Sequence, residues 1–276
     1  MFTLNCKGKL LILDRPMVMG ILNMTPDSFY TGHLDKSTDE IIGVVAQMIE
    51  DGADIIDIGG QTTKPGSRRL SADEELKRII PVIEQIQLKF PSTILSVDTF
   101  ESKVAKVSVD AGVSIINDIS SGEMDLKMYE TVAELQVPYI CMHMQGTPET
   151  MQQNPVYEDA VKDILDYFIK KINVLQKAGI KDIIIDPGFG FGKTVEHNFK
   201  LLKELNLFNI LQKPILAGIS RKSFIYKTLQ LTPDHSLNGT TVLNTLALQK
   251  GASFLRVHDV KEATQAVRLF QAYQSA

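Results

Sequence analysis

Apolar residues along this chain gather into eight short runs, each closed by a polar side chain. The runs cover 16–23, 55–57, 94–98, 115–117, 139–143, 183–186, 215–220 and 254–258, and they close on Asn23, Asp57, Asp98, Asn117, His143, Asp186, Ser220 and His258. A short, continuous aliphatic run reads as a parallel strand buried on both faces. A charged or amide group at the end of such a run is costly unless that end opens onto a polar cavity. Eight such ends predict a ring of strands whose carboxyl ends converge on one site.

The segments between the runs support a ring. Gly52, Gly112, Gly179 and Gly251 stand just ahead of four runs, each after an amphipathic stretch, as expected of left-handed helix C-caps. Pro16, Pro91, Pro138 and Pro214 precede the other four, where a helix has already ended. Ile41, Ile42, Val45, Met48 and Ile49 repeat at helical spacing, as do Leu201, Leu202 and Leu205. Ser71-Ala72-Asp73-Glu74 reads as a capping box. Strand and helix alternate eight times, which predicts an α/β fold of the (β/α)8 TIM-barrel type; the 276 residues fit its usual size. Residues 1–15, with Gly8 at a turn, are expected to form an N-terminal hairpin capping the barrel bottom.

No linker or low-complexity tract divides the chain, so 1–276 reads as one domain. A net charge of -4 argues against a general nucleic-acid or anionic-membrane surface. No run approaches a membrane span, and the first twenty residues make a poor signal peptide because Lys7, Lys9, Asp14 and Arg15 break them. The two cysteines, Cys6 and Cys141, have no metal-ligand spacing and read as reduced, buried thiols. The expectation is a cytoplasmic enzyme whose anion site is a local basic cluster.

Barrels of this kind often bind phosphate at the loops after the last two strands. Ser220, Lys222, Arg256 and His258 bring hydroxyl, ammonium, guanidinium and imidazole donors there. Arg256 and His258 share one strand face; Arg221 reads as an ordinary helix-start charge. Asp98, Asn117 and Asp186, from three tips, suit a flat nitrogen heterocycle with an aminopyrimidine edge. Asp57 and Asp118 read as supporting or salt-bridging groups. Gly188-Phe189-Gly190-Phe191-Gly192-Lys193-Thr194 is neither a Walker A loop, because Pro187 stands where Gly is needed, nor a dinucleotide fingerprint. Its glycines read instead as room for a planar ligand beside Phe191. Two loops, 23–36 and 59–69, look like lids over the catalytic face.

These residues resemble the dihydropteroate synthases. The likeness spans roughly 16–273 and runs through Gly20-Ile21-Leu22-Asn23-Met24-Thr25-Pro26-Asp27-Ser28-Phe29, Ser96-Val97-Asp98-Thr99, Asn117-Asp118-Ile119 and Met142-His143-Met144-Gln145-Gly146. It continues through Asp186–Lys193, Ser220-Arg221-Lys222-Ser223 and Arg256-Val257-His258-Asp259. The resemblance implies condensation of 6-hydroxymethyl-7,8-dihydropterin pyrophosphate with 4-aminobenzoate, giving 7,8-dihydropteroate and pyrophosphate. By position it implies a pterin site of Asp98, Asn117, Ile119, Met142, Asp186 and Lys222. It places pyrophosphate on Asn23, Lys64, Arg256 and His258, with Asn23 as ligand of Mg2+. It places 4-aminobenzoate among Phe29, Thr63, Pro65, Phe191 and Ser220. It further implies a homodimer and competition by sulfonamides. One departure is Lys64, where the family usually has Arg; a point charge replaces a bidentate fork, and Arg68 or Arg69 is placed to compensate. Two rival readings remain at this level. A methyltransferase acting between methyltetrahydrofolate and a corrinoid protein shares the barrel but needs neither the Arg256/His258 anion site nor Mg2+. A non-catalytic pterin-binding paralogue would bind without turnover.

Overall fold

The computed structural model describes residues 1–24, 38–61, 69–151 and 155–276. The chain opens with β1 (Phe2–Cys6) antiparallel to β2 (Lys9–Leu13), joined at Lys7 and Gly8. Both turn residues have positive φ, 53° and 85°, the backbone of a tight hairpin turn. Eight strands follow: β3 (Met17–Asn23), β4 (Ile55–Gly59), β5 (Ile94–Asp98), β6 (Ile115–Asp118), β7 (Tyr139–Met142), β8 (Ile183–Asp186), β9 (Leu216–Ala217) and β10 (Phe254–Val257). They pair in parallel in the order β8-β7-β6-β5-β4-β3-β10-β9, and a bridge between Ile185 and Ile215 joins the two ends of the sheet.

The helices between them are α1 (Thr38–Glu50), α2 (Ala72–Lys89), α3 (Ser102–Asp110), α4 (Met128–Leu135), α5 (Ala160–Lys177), α6 (Val195–Lys203), α7 (Ser223–Leu229) and α8 (Leu237–Gln249), with α9 (Val260–Ser275) after the last strand. The expected capping box opens α2: Glu74 N–H donates to Ser71 Oγ, and Ser71 N–H donates to Glu74 Oε2. The four expected glycine caps have φ between 95° and 121°. Ahead of Pro138 and Pro214 the left-handed position is held instead by Gln136 and Gln212, both at φ 50°. None of the helices among the described residues is long and apolar enough to cross a membrane.

Two cores result from strand alternation. Facing the helices lie Val18, Ile56, Ile58, Leu95, Val97, Ile116, Cys141, Ile185, Leu255 and Val257. Inside the barrel lie Met17, Met19, Ile55, Ile115, Ile140, Ile184, Leu216 and Phe254, and the hairpin's Leu4, Cys6 and Leu13 pack into the same cluster. The hairpin therefore plugs the amino-terminal end of the barrel. α5 packs on the outside through Ile164, Phe168, Ile172 and Leu175; each fully buried side chain of this size contributes about 1.5–3 kcal/mol.

Two strands differ from the sequence expectation by more than one residue at an end. β4 runs on to Gly59, so Asp57 lies within the strand rather than at its tip. The expected strand at 215–220 shortens to Leu216–Ala217, because Ile219 C=O accepts from Lys222 N–H in a turn and Arg221 takes a positive φ of 55°.

Glu75 of α2 is completely buried behind Gly60, where a Cβ would lie 2.8 Å from Glu75 Cγ. Burial pushes its carboxyl up to about 8, against the lowering effect of Thr99 and Arg78. A carboxyl raised above its unfolded value stabilises the fold fully below the unfolded pKa, and that contribution is lost as pH climbs through the folded pKa. Thermal melting at pH 9 should accordingly show Glu75→Gln more stable than the parent, with little difference at pH 4; equal melting at both would contradict it.

Candidate active site

Strand alternation decides which side chains reach the barrel lumen. Two residues above the interior plug, on the same strand faces, come Ile21, Asp57, Asn117, Met142, Asp186, Gly218 and Arg256. One further pair up, the same faces carry Asn23, Gly59, Ile119, Ser220 and His258; Ser96 and Asp98 follow the same parity on β5. A polar layer thus sits directly on an apolar one, at the carboxyl end where sites in this fold are built.

Arg256 is the centre of that layer. Its Nε donates to Asp57 Oδ2 at 2.6 Å and its NH2 group donates to Asp98 Oδ2 at 2.6 Å. Asn117 Nδ2 donates to the same Asp57 oxygen at 3.1 Å, which fixes the amide with Oδ1 turned away. Burial raises Asp98 to about 7; Arg256 pulls it down, while Asp57, Asp118 and Asp186 push it up. One guanidinium shared by two carboxylates cannot fully offset the burial of both.

Asp186 and Lys222 both approach Gly218, where an added Cβ would lie 3.7 Å from Asp186 Oδ2 and 3.7 Å from Lys222 Nζ. Burial raises Asp186, an effect that the Lys222 charge opposes. Burial lowers Lys222 to about 8, and Asp186 opposes that change. Lys222 also donates to Phe189 C=O, and its Nζ stands 4.5 Å above the Phe191 ring. Gly190 lacks the Cβ that would press on the lysine stem at 2.8 Å. Ile119 and Met142 form an apolar wall with Phe100, and Phe191 packs beside it.

His258 and Ser220 close the far side. Ser220 Oγ lies 3.0 Å from His258 Nδ1 and accepts from His258 N–H at 3.2 Å. Burial, reinforced by Arg256, brings the imidazole down to about 4, so it is neutral. Asn23 ends β3 with its Oδ1 3.3 Å from where a Gly59 Cβ would stand; Asp98 flanks the same point.

The structure therefore gathers Asn23, Asp98, Asn117, Ile119, Met142, Asp186, Phe191, Ser220, Lys222, Arg256 and His258 at one mouth. Phe29, Thr63, Lys64, Pro65 and Arg68 lie outside the described residues. Arg69 pairs with Glu101 at 2.6 Å and lies 4.7 Å from the Phe100 ring centre. Asp118 orients its own loop, accepting from Ser120 and Gly122 N–H and from Tyr139 Oη. Arg221 forms a two-pronged pair with Asp259. Sequence reasoning missed Phe100 as a wall, whereas Asp57, expected to be a supporting or salt-bridging group, pairs with Arg256. The signal for Asp57 was parity: it lies two residues after Ile55, on the luminal face.

Fold and site define a barrel enzyme with a charge-paired, ring-sized mouth. A family model described as "Pterin binding enzyme" matches residues 19–258. Dihydropteroate synthase of Escherichia coli K12 is 43% identical over 272 residues, covering 98% of this chain and 96% of that protein. A Yersinia pestis dihydropteroate synthase solved with a sulfonamide drug complex superposes with a TM-score of 0.95 at 40% identity over 100% of both chains. A Xanthomonas albilineans dihydropteroate synthase solved with 4-aminobenzoic acid gives 0.91 at 39% identity, covering 99% of this chain and 98% of that one. The chain belongs to the dihydropteroate synthases.

Lys193 also escaped the sequence reading as a site group. It is buried and donates to the carbonyls of His143, Gly188 and Phe191 at 3.3, 2.9 and 3.0 Å, pinning the loop after β8 to the one after β7. Gly188 belongs to the same knot: an added Cβ would lie 2.0 Å from His143 C=O. Burial brings the ammonium down to about 7. Lys193→Met should strand those carbonyls and cost about 2–4 kcal/mol by urea unfolding; a loss under about 0.5 kcal/mol would show that the knot holds nothing.

Proposed function

We propose that this chain joins 6-hydroxymethyl-7,8-dihydropterin pyrophosphate to 4-aminobenzoate, releasing pyrophosphate, by a dissociative path. The observation that carries the reading is the convergence of buried Asn117 and Asp186 with half-buried Asp98, Lys222 and Arg256 in one layer. Two carboxylates and an oriented amide match the N–H and C=O edge of an aminopyrimidine ring. Ile119 and Met142 pack against the ring, and His258 and Arg256 face the diphosphate.

The C–O bond to the diphosphate breaks with its electron pair on oxygen. The dihydropterin ring delocalises the positive charge left on the methylene. Asp98 and Asp186 stabilise that charge electrostatically, while Arg256 and His258 stabilise the departing anion elsewhere. The arylamine nitrogen then forms the C–N bond and gives its proton to solvent. The aminobenzoate wall is Phe191 and Ser220, joined in this reading by Phe29, Thr63 and Pro65, with Lys64 as a further diphosphate contact.

Mg2+ fits as a substrate-carried ion. No cluster of three or more acidic, His or Cys side chains stands ready for a metal among the described residues. A single amide oxygen from Asn23 suits an ion held mainly by phosphate oxygens and water. When bound, it would neutralise charge on the leaving diphosphate. A homodimer is supported by exposed Val242 and Leu246 on α8 beside Leu269 and Tyr273 on α9. A cytoplasmic setting is supported by two free, buried cysteines. The chain acts in this reading as one domain.

Pyrophosphate release should require both substrates and fall when Mg2+ is chelated; methyl transfer with no pyrophosphate would favour the corrinoid reading. Asp98 must be ionised and Lys222 charged to hold the ring. Asp98 gains its proton below about 7 and Lys222 loses its own above about 8. The expected profile of kcat/KM for the pterin substrate peaks between these and declines on both sides. A flat profile from pH 6 to 9 would contradict these roles. Asp98→Asn should weaken pterin binding by roughly 10–100-fold, read by calorimetry.

A further inference from the structure

Asp57 belongs to no substrate contact proposed above, yet it is as deeply buried as any residue in the barrel. Among the described residues its only hydrogen-bond donors are Arg256 Nε and Asn117 Nδ2, both on Oδ2, and its Oδ1 has none. Asp118 supplies the contrast. It is equally buried, one strand pair away, and spends its oxygens on two backbone amides, a serine and a tyrosine of its own surroundings. An acid that served the scaffold would be bonded as Asp118 is. Asp57 instead holds two side chains from β10 and β6 that face the mouth. Nothing but those two contacts offsets its desolvation.

The contact pattern also raises a competition. In this structure Arg256 NH2 occupies Asp98, the carboxylate assigned to the ring edge. A bound ring would draw on the same carboxylate, so the bond on Oδ2 competes with the heterocycle's own N–H donors. The guanidinium can yield Asp98 without being stranded only if another anion keeps hold of it. Asp57 holds Nε, a separate donor next to the NH2 group whose bond is contested, so it can keep the guanidinium paired when that bond breaks.

Building on the function proposed above, we propose that Asp57 is a positioning residue. It anchors Arg256 by Nε, so that the neighbouring NH2 group can leave Asp98 for the substrate, and it keeps the Asn117 amide turned for the same ring. Without the Asp57 charge, Arg256 would pair with Asp98 alone and compete with the pterin.

A double-mutant cycle tests this with Asp57→Asn, Arg256→Ala and the double variant. Asp57→Asn should lower kcat/KM for the pterin pyrophosphate by roughly 10–100-fold, with the KM for 4-aminobenzoate changed less than about twofold. In the Arg256→Ala background the same substitution should cost less than about threefold. A double variant that loses the product of the two single losses would overturn the proposal, as would full activity in Asp57→Asn. Should Asp57→Asn fold poorly, melting decides. The double variant, which removes both charges, should melt above Asp57→Asn if the acid acts through Arg256, and at or below it if Asp57 is scaffold only. Melting needs no substrate. A parent that releases no pyrophosphate would therefore sink the proposed reaction, while the pairing of Asp57 with Arg256 would still be decided.

Discussion

The two-residue repeat of a strand is the constraint on which everything else rests. On each barrel strand, alternate side chains face the helices, and those positions are mostly apolar, Asp118 being a polar exception. The intervening positions face the lumen and change character with height. Ile55, Ile115, Ile140, Ile184, Leu216 and Phe254 form the lower layer. Asp57, Asn117, Met142, Asp186, Gly218 and Arg256 stand two residues further along the same strands. A shift of one residue in any strand would send its polar group into the helix interface and an aliphatic side chain into the site. The hairpin plug completes the arrangement: with the lower end filled by Leu4, Cys6 and Leu13, the polar layer opens only at the carboxyl end.

Such a layer is expensive in isolation. Asp57 and Asp186 are buried and Asp98, Lys222 and Arg256 are half-buried, and an unpaired charge at such depth is costly. The structure limits that cost by pairing across strands rather than along them. Arg256 of β10 reaches Asp57 of β4 and Asp98 of β5, and Asn117 of β6 bonds the same Asp57. The compensation is incomplete, as the raised Asp98 and lowered Lys222 show. Incomplete pairing is useful in a site that must accept a ligand. In the proposed reading, a ring bringing its own N–H donors to Asp98 adds the pairing that Arg256 alone does not supply.

Much of this was legible in the sequence because it follows local rules. Apolar runs gave the strands, positive-φ glycines gave the helix ends, and Ser71 and Glu74 gave a capping box. Polar ends of runs located Asp98, Asn117, Asp186 and His258 correctly, since those residues lie at or next to strand termini. Asp57 was placed at a tip because the apolar run was read as ending there, whereas Ile58 and Gly59 extend the strand. Lys193 was invisible for a different reason. Its role comes from three carbonyls in two loops that meet only in the fold. Gln136 and Gln212 carried no signal either, because left-handed caps on residues other than glycine or asparagine are set by the chain that follows, here a proline-led strand.

The site divides by the kind of element that carries each group, and the division matches the chemistry. Groups assigned to the ring stand mostly on strands or directly beside them, with Asp98 and Arg256 held by cross-strand ion pairs and Asn117 by a hydrogen bond to Asp57. Phe191, Lys222 and Ser220 stand on loops after β8 and β9. Those loops are pinned by Lys193, by Gly188 against His143, and by Ser220 against His258. In the proposed dissociative path, the strand-borne part would hold the charged ring still while its bond to the diphosphate breaks. The loop part must admit a second molecule to the same carbon afterwards. A reaction in which bond breaking precedes bond making asks for this order of stiffness, firm beneath the ring and adjustable above it. A wall of loops pinned at few points, over a floor of paired strands, provides it.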